Sequence, residues 1–285
     1  MNKATLDNTV FVTVCDYLNP EEVLAPLKRT ADYFGVPLSF ASYGQPYKNH
    51  LDKFLKVQSF LEEQPESVKY AFFVDCRDTL FTDTAENILA AFNALYTGGV
   101  MTQSGGAGLA KDMFSWIIAT KIASAYTWRG FACSGGYCGN ISAMKSLLGQ
   151  CIELHHNLVN RDLSDPRVAL YLSDRCCETW FNRAVVDDEF LFHLIQTSGT
   201  SLIKPDLNKE LMALFGNRRP AVHTDTPEHI PLVERRQQFL PHDIRSVGTA
   251  KIIHSPRLSR HAEYWNSFIE QEIFPHRRLT TRTAI

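Results

Sequence analysis

Asp75 and Asp78 are the residues whose types and spacing most clearly suggest chemistry. They follow Tyr70 to Val74, five apolar, β-branched or aromatic residues that predict a buried strand. Carboxylates at the end of a core strand are costly unless something cationic meets them. A divalent cation that prefers oxygen ligands, Mg²⁺ or Mn²⁺, would do so. The plainer alternative is that Asp75 caps the next turn and Asp78 pairs with Arg77 or another basic residue. A second acidic group, Asp187-Asp188-Glu189, follows Val185-Val186 and precedes Phe190-Leu191-Phe192. It reads either as a helix start decorated with acids or as carboxylates at a pocket rim.

Two stretches of small residues could approach a ligand closely. In Phe131 to Met144, the run Ser134-Gly135-Gly136 predicts a tight turn before a helix from Ile141, or a backbone face open to a ligand. Gln103 to Gly108 reads as a flexible loop, since it lacks the Gly-Lys-Ser/Thr ending of a phosphate loop. His254 ends a short predicted strand from Lys251, and a lone histidine there is ordinarily structural.

The elements that must position these residues alternate. Thr9 to Val14 predicts a strand, Asn19 to Phe34 a helix with proline in its first turn and Gly35 at its end, and Val36 to Ser42 a second strand. Helical spacing recurs over 50–63, 87–96, 113–126, 151–171 and 263–274. From Leu202 to Ser246 prolines interrupt the pattern, which predicts strands and loops around the core. This is an α/β chain with a mainly parallel sheet, whose carboxyl strand ends are the ligand edge.

At 285 residues with 45% hydrophobic content, the chain can bury a sizeable core as one large domain or two small ones. A net charge of −2 gives no general pull toward nucleic acid or membrane, although Arg277, Arg278 and Arg282 form a local basic patch. No apolar run is long enough to span a membrane, and the first residues lack a signal-peptide core, so a cytoplasmic protein is expected. The seven cysteines, with Cys176 and Cys177 adjacent and no C-x-x-C pair, give little support for a zinc cluster and suggest reduced thiols.

Taken together, the patches resemble the collagen-lysine glycosyltransferase family, the transferase domain attached to procollagen lysyl hydroxylases. The resemblance rests on Lys56-Val57, F-F-V-D-C-R-D-T-L-F, C-S-G-G-Y-C-G, V-V-D-D-E-F-L-F and I-I-H-S-P, in order along the chain. Cys133 stands where the family has asparagine, and Ser255-Pro256 where it has glycine after the histidine. The resemblance implies one GT-A-like domain over residues 1–285, with a nucleotide-sugar half to about 125 and an acceptor half beyond. It implies Mn²⁺, or Mg²⁺, held by Asp75, Asp78 and His254, and a UDP-sugar donor. Thr13, Tyr17, Tyr43, Lys56, Ser134, Gly135 and Gly136 would then meet the donor, with Tyr17 or Tyr43 on the base and Lys56 on the diphosphate. Asp188 would lie closest to the transfer, oriented by Asp187. The acceptor is left open: a small molecule, a protein or modified nucleic acid.

Two other readings use the same residues. Haloacid-dehalogenase phosphatases carry D-x-D-x-T after an apolar strand, with the first Asp, here Asp75, as nucleophile. In this chain the second carboxylate is three residues on instead of two. A non-catalytic nucleotide-sugar-binding protein is the third class.

Overall fold

The structure is a computed structural model that describes residues 3–46, 48–105, 116–126, 130–173, 187–214, 250–254, 266 and 268–274. Its first strand, β1 (Thr9–Cys15), is built from β-branched and aromatic residues and is almost entirely buried. Helix α1 (Pro20–Phe34) starts at proline and stops at Gly35, whose φ of 65° lets its N–H turn back onto the last turn of the helix. Strand β2 (Leu38–Tyr43) returns parallel to β1, and α2 (His50–Glu62) follows, capped by the Asn49 side chain. Strand β3 (Tyr70–Val74) has the predicted limits and pairs parallel to β1.

Next come β4 (Thr79–Phe81), α3 (Ala85–Leu95), β5 (Val100–Gly105), α4 (Trp116–Tyr126) and β6 (Phe131–Asn140). They are followed by α5 (Ile141–Val159), α6 (Pro166–Ser173), α7 (Asp188–Thr197), β7 (Ile203–Asp206), β8 (Met212–Leu214) and β9 (Ile252–His254). A π-helical turn covers Ile269–Ile273. All nine strands form one mixed sheet in the order β2-β1-β3-β6-β5-β8-β9-β4, with β7 also paired to β5. Most neighbours run parallel; β6 is antiparallel to both β3 and β5, and β4 to β9. One face of the sheet packs on α1 and α3, and the other on α2, α5 and α7, where Phe54 stacks on Phe192 with ring centroids 5.5 Å apart. No helix among the described residues is long and apolar enough to cross a membrane.

Four expectations are corrected. Ser134-Gly135-Gly136 is not a turn but the middle of the long buried strand β6. A small residue is needed in that run because a Cβ on Gly135 would collide with the His254 ring. Gln103, Ser104 and Gly105 of the glycine-rich run belong to β5 and are not loop, because β6 and β8 hold them. The helix expected over 151–171 is two helices, broken after Val159, where Arg161 takes φ 52° before α6 restarts at Pro166. The closing helix is described only from 266 onward, where its central turn is π-helical. Cys176, Cys177, Val185, Val186, Ser255, Pro256 and the basic patch at 277–282 lie outside the described residues, as do 106–115 and most of 202–246 beyond Leu214.

Helix α7 is docked onto the start of β6 by its own side chains. Gln196 accepts from the Ala132 N–H at 3.0 Å and donates to the Gly130 carbonyl at 2.8 Å, and His193 Nε2 donates to the Ala132 carbonyl at 2.8 Å. Replacing Gln196 with Leu strands two buried backbone groups, which predicts a loss of about 2–5 kcal/mol in urea unfolding. A change below about 0.5 kcal/mol, the scale of an ordinary surface substitution, would show that the helix is held otherwise.

Candidate metal centre

Three strand ends bring Asp75, Asp78 and His254 together. Asp75 directly follows β3, and its N–H donates to the Gly135 carbonyl of β6 at 2.9 Å. Asp78 directly precedes Thr79 of β4, and Thr79 is the register partner of His254 in β9. The pairing of β4 with β9 is extended by Thr82, whose hydroxyl donates to the Ala250 carbonyl at 2.6 Å, and by a 2.7 Å ion pair between Lys251 and Asp83. One ligand atom from each of the three residues lies within 4.8 Å of the others.

The imidazole is oriented from behind. Its Nδ1 is 2.8 Å from Gln103 Oε1, an acceptor, so the hydrogen-bond pattern assigns the proton to Nδ1. Nε2 then faces Asp78 Oδ1 at 3.2 Å and Asp75 Oδ2 at 3.8 Å. Among the described residues, Nε2 and Asp78 Oδ1 are buried and face each other, with no further hydrogen-bond partner. A lone pair aimed at two carboxylates is repulsive unless a cation or a second ring proton lies between them. Burial disfavours the charged imidazole, but Asp78 outweighs it and holds the His254 pKa well above the ordinary value. Burial likewise pushes Asp78 up, but His254 reverses this and leaves its pKa lowered. Two carboxylates and a backed imidazole fit a divalent cation, with Gln103 as the outer partner that such histidines ordinarily have.

Gly135 serves this histidine. A Cβ there would lie 2.1 Å from His254 Cε1, so the ring rests on bare strand backbone. Cys133, two residues earlier, has its sulfur 3.7 Å from Nδ1.

Lys53 is the functional residue that sequence reasoning missed. Its buried ammonium pairs with Asp188 and lies 3.1 Å from Asp75 Oδ1 and 3.5 Å from the Ser134 carbonyl. His50, one turn earlier on α2, comes within 3.7 Å of the same Asp188. The spacing His50-x-x-Lys53 at the start of an amphipathic helix was the available signal. Burial alone would lower the Lys53 pKa; Asp188, then Asp75, keep it well above the ordinary value.

Asp187 is the N-cap of α7 and accepts from the Glu189 N–H at 2.9 Å. Burial, then the adjacent Asp188 charge, raises the Asp187 pKa well above its ordinary value. Burial would raise Asp188 too, but Lys53 overrides it and keeps Asp188 ionised. Glu189 is pushed up to about 7 by burial and by Asp188. Lys53 thus links the acidic pair to the metal carboxylate Asp75.

The other predicted residues divide between scaffold and rim. Thr13 is fully buried, and its hydroxyl donates to the Val74 carbonyl at 2.7 Å, fastening β1 to β3. Ser134 and Gly136 are buried in β6, with Met212 Sδ 3.3 Å from where a Gly136 Cβ would sit. Lys56 pairs with Asp16, which also accepts from the Ser42 hydroxyl at 2.8 Å and the Gln45 N–H at 3.1 Å. Tyr43 is exposed, and its hydroxyl bonds Glu21. Tyr17 is 40% exposed at the end of β1, and partial burial followed by the nearby Cys76 and Asp75 raises its pKa to about 12. No protein-family model matches the chain, and no curated protein matches it.

Two predictions follow from this geometry. Gly135→Ala must displace the His254 ring and should weaken Mn²⁺ binding at least tenfold, whereas Gly136→Ala meets only a flexible thioether and should leave it within a few-fold. Equal effects in calorimetry would contradict the role given to Gly135. Because Asp78 holds the His254 pKa well above its ordinary value, a cation that takes Nε2 competes with a proton. Mn²⁺ affinity should therefore rise with pH, by up to about tenfold per unit below the raised His254 pKa. Calorimetry in buffers of different ionisation enthalpy should detect about one proton released; none released would mean His254 is not a ligand.

Proposed function

We propose that the chain is a glycosyltransferase of GT-A type, moving a sugar from a nucleotide-diphosphate donor, UDP-sugar by the family resemblance, to a hydroxyl acceptor. The observation that carries this reading is the triad Asp75, Asp78 and His254, whose ligand atoms lie within 4.8 Å of one another at the carboxyl edge of a mainly parallel sheet. That edge is where such sheets bind nucleotides. The triad would hold the cation, and a bound Mn²⁺ would neutralise charge that develops on a leaving diphosphate.

The protein's own residues supply the rest. Lys53 compensates Asp75 and Asp188 at once and keeps Asp188 ionised in a buried position. Ionised Asp188 accepts a hydrogen bond from a sugar or acceptor hydroxyl, and Asp187 beside it fixes its orientation. Tyr17, exposed beyond β1, and Tyr43, exposed at the end of β2, offer rings to a base. Lys56, engaged with Asp16, would reach a diphosphate only by leaving that pair. The five described cysteines are free thiols, which agrees with a cytoplasmic setting.

The test uses one preparation of Asp188→Asn. It should keep Mn²⁺ and nucleotide-sugar binding by calorimetry while nucleotide release falls about 100-fold or more. Turnover within a few-fold of the parent would make the acidic triplet an ordinary helix start. Full activity in EDTA would remove the cation from the reaction. Hydrolysis of simple phosphate monoesters through phosphorylated Asp75 would replace this reading with a phosphatase.

A further inference from the structure

Asp188 is nearly sealed from solvent, and a half-open histidine stands beside it. The Asp188 side chain is 8% exposed and that of His50 is 41% exposed. One oxygen of Asp188, Oδ2, pairs with the buried Lys53 ammonium. The other, Oδ1, accepts from the Glu189 N–H at 3.1 Å and lies 3.7 Å from His50 Nδ1. The histidine is placed by the backbone. It is the first residue of α2, and the Asn49 side chain fixes that start by accepting from the Leu51 and Asp52 N–H groups at 2.9 and 3.2 Å. Lys53, three residues on, lies on the same side of the helix, so one helix end offers a buried ammonium and a half-open imidazole to one carboxylate. Phe54 stacks on Phe192 of α7 and fixes where the two helices meet.

Charge compensation alone does not call for this histidine, because Lys53 already pairs with Asp188 and the N-terminus of α7 begins there. An imidazole held at one nitrogen by a buried carboxylate, with its ring open to solvent, is the arrangement of an oriented general base. At 3.7 Å the contact is longer than a hydrogen bond, as such contacts often are before substrate tightens them. Lys53 also reaches Asp75 at 3.1 Å. A series of charged contacts therefore runs from the metal triad through Lys53 and Asp188 to His50, and its open end faces an acceptor arriving from solvent.

We propose that His50 is the general base that takes the proton of the acceptor hydroxyl, with Asp188 holding its ring. Asp188 accepts from Nδ1–H, which leaves the lone pair on Nε2, across the ring from that contact. The acceptor hydroxyl gives its proton to Nε2 as its oxygen bonds the anomeric carbon. The bond from that carbon to the diphosphate oxygen breaks, and its electron pair leaves with the diphosphate. Asp188 stabilises the imidazolium until the proton passes to water, and its own remaining hydrogen bond goes to a sugar hydroxyl. The base role rests on the glycosyltransferase reading above; the pairing of His50 with Asp188 does not.

The experiment compares the full chain with His50→Ala, a substitution at a half-exposed helix start. UDP-glucose and UDP-galactose serve as donors with Mn²⁺, glycerol serves as the hydroxyl acceptor, and released UDP is measured. Turnover should fall about 100-fold or more while Mn²⁺ and donor binding by calorimetry stay within a few-fold. Added imidazole should restore turnover in His50→Ala by about tenfold or more, which a merely structural role would not allow. Turnover within a few-fold of the parent, or a loss that imidazole does not repair, overturns the base role. The pairing is read separately, by nitrogen NMR of the neutral ring in the parent protein. Asp188 should hold His50 as the Nδ1–H tautomer, and the Nε2–H tautomer overturns the pairing. If the parent releases no UDP, the glycosyltransferase reading fails and the base role with it, while the tautomer still decides the pairing.

Discussion

A lysine ammonium buried between two carboxylates is the interaction on which the candidate site depends. Lys53 touches Asp75, a member of the metal triad, and Asp188, at the first turn of α7. Each carboxylate would be costly at its depth without a partner, and removing one member of a buried pair typically costs about 3–5 kcal/mol. The lysine is itself tolerable only because two anions and the faces of Phe54 and Phe73 surround it. Three elements distant in sequence, α2, the end of β3 and the start of α7, are thereby held around one charge. The same arrangement tunes the acids in opposite directions: Lys53 lowers the Asp188 pKa against the effect of burial, while burial and then the Asp188 charge raise that of Asp187.

The second constraint is strand register. His254 meets Asp78 because β9 pairs with β4 residue by residue, Thr79 against His254. A slip of one residue would turn the imidazole to the other face of the sheet. The side-chain bonds of Thr82 and Lys251 resist that slip from one end of β9, and Gln103 holds the ring itself. Gly135 completes the fit by leaving room over β6. The glycine read from sequence as a turn or phosphate cradle is thus the surface against which the histidine is seated.

What could be read from sequence follows from how local each signal is. The strand Tyr70–Val74 and its terminal carboxylates are a local pattern, an apolar run that ends abruptly in charge, and the structure keeps its limits. The α1 boundaries were equally legible, since proline and glycine act on the backbone directly. His254 was not: only the family resemblance raised it above an ordinary structural histidine, since its partner Asp78 is fixed by a distant strand pairing. Lys53 and Lys56 lie on one helix three residues apart, and the resemblance drew attention to Lys56. Only tertiary packing shows that Lys53 points beneath the sheet edge while Lys56 pairs with Asp16 nearer the solvent. The β6 stretch failed for a related reason. Glycine and serine favour turns locally, but here the strand runs on through them, since Gly136 pairs with Val74 of β3 while Cys133 and Tyr137 on either side pair with β5.

The central claim is that Asp75, Asp78 and His254 hold a divalent cation. Anomalous diffraction from crystals soaked in Mn²⁺ tests it most directly. The account predicts one peak bonded to a carboxylate oxygen of each aspartate and to Nε2 of His254, at roughly 2.0–2.3 Å. It also predicts that Nδ1 stays on Gln103. No peak at the triad in crystals saturated with Mn²⁺, or a peak elsewhere with His254 still turned against Asp78, would contradict it.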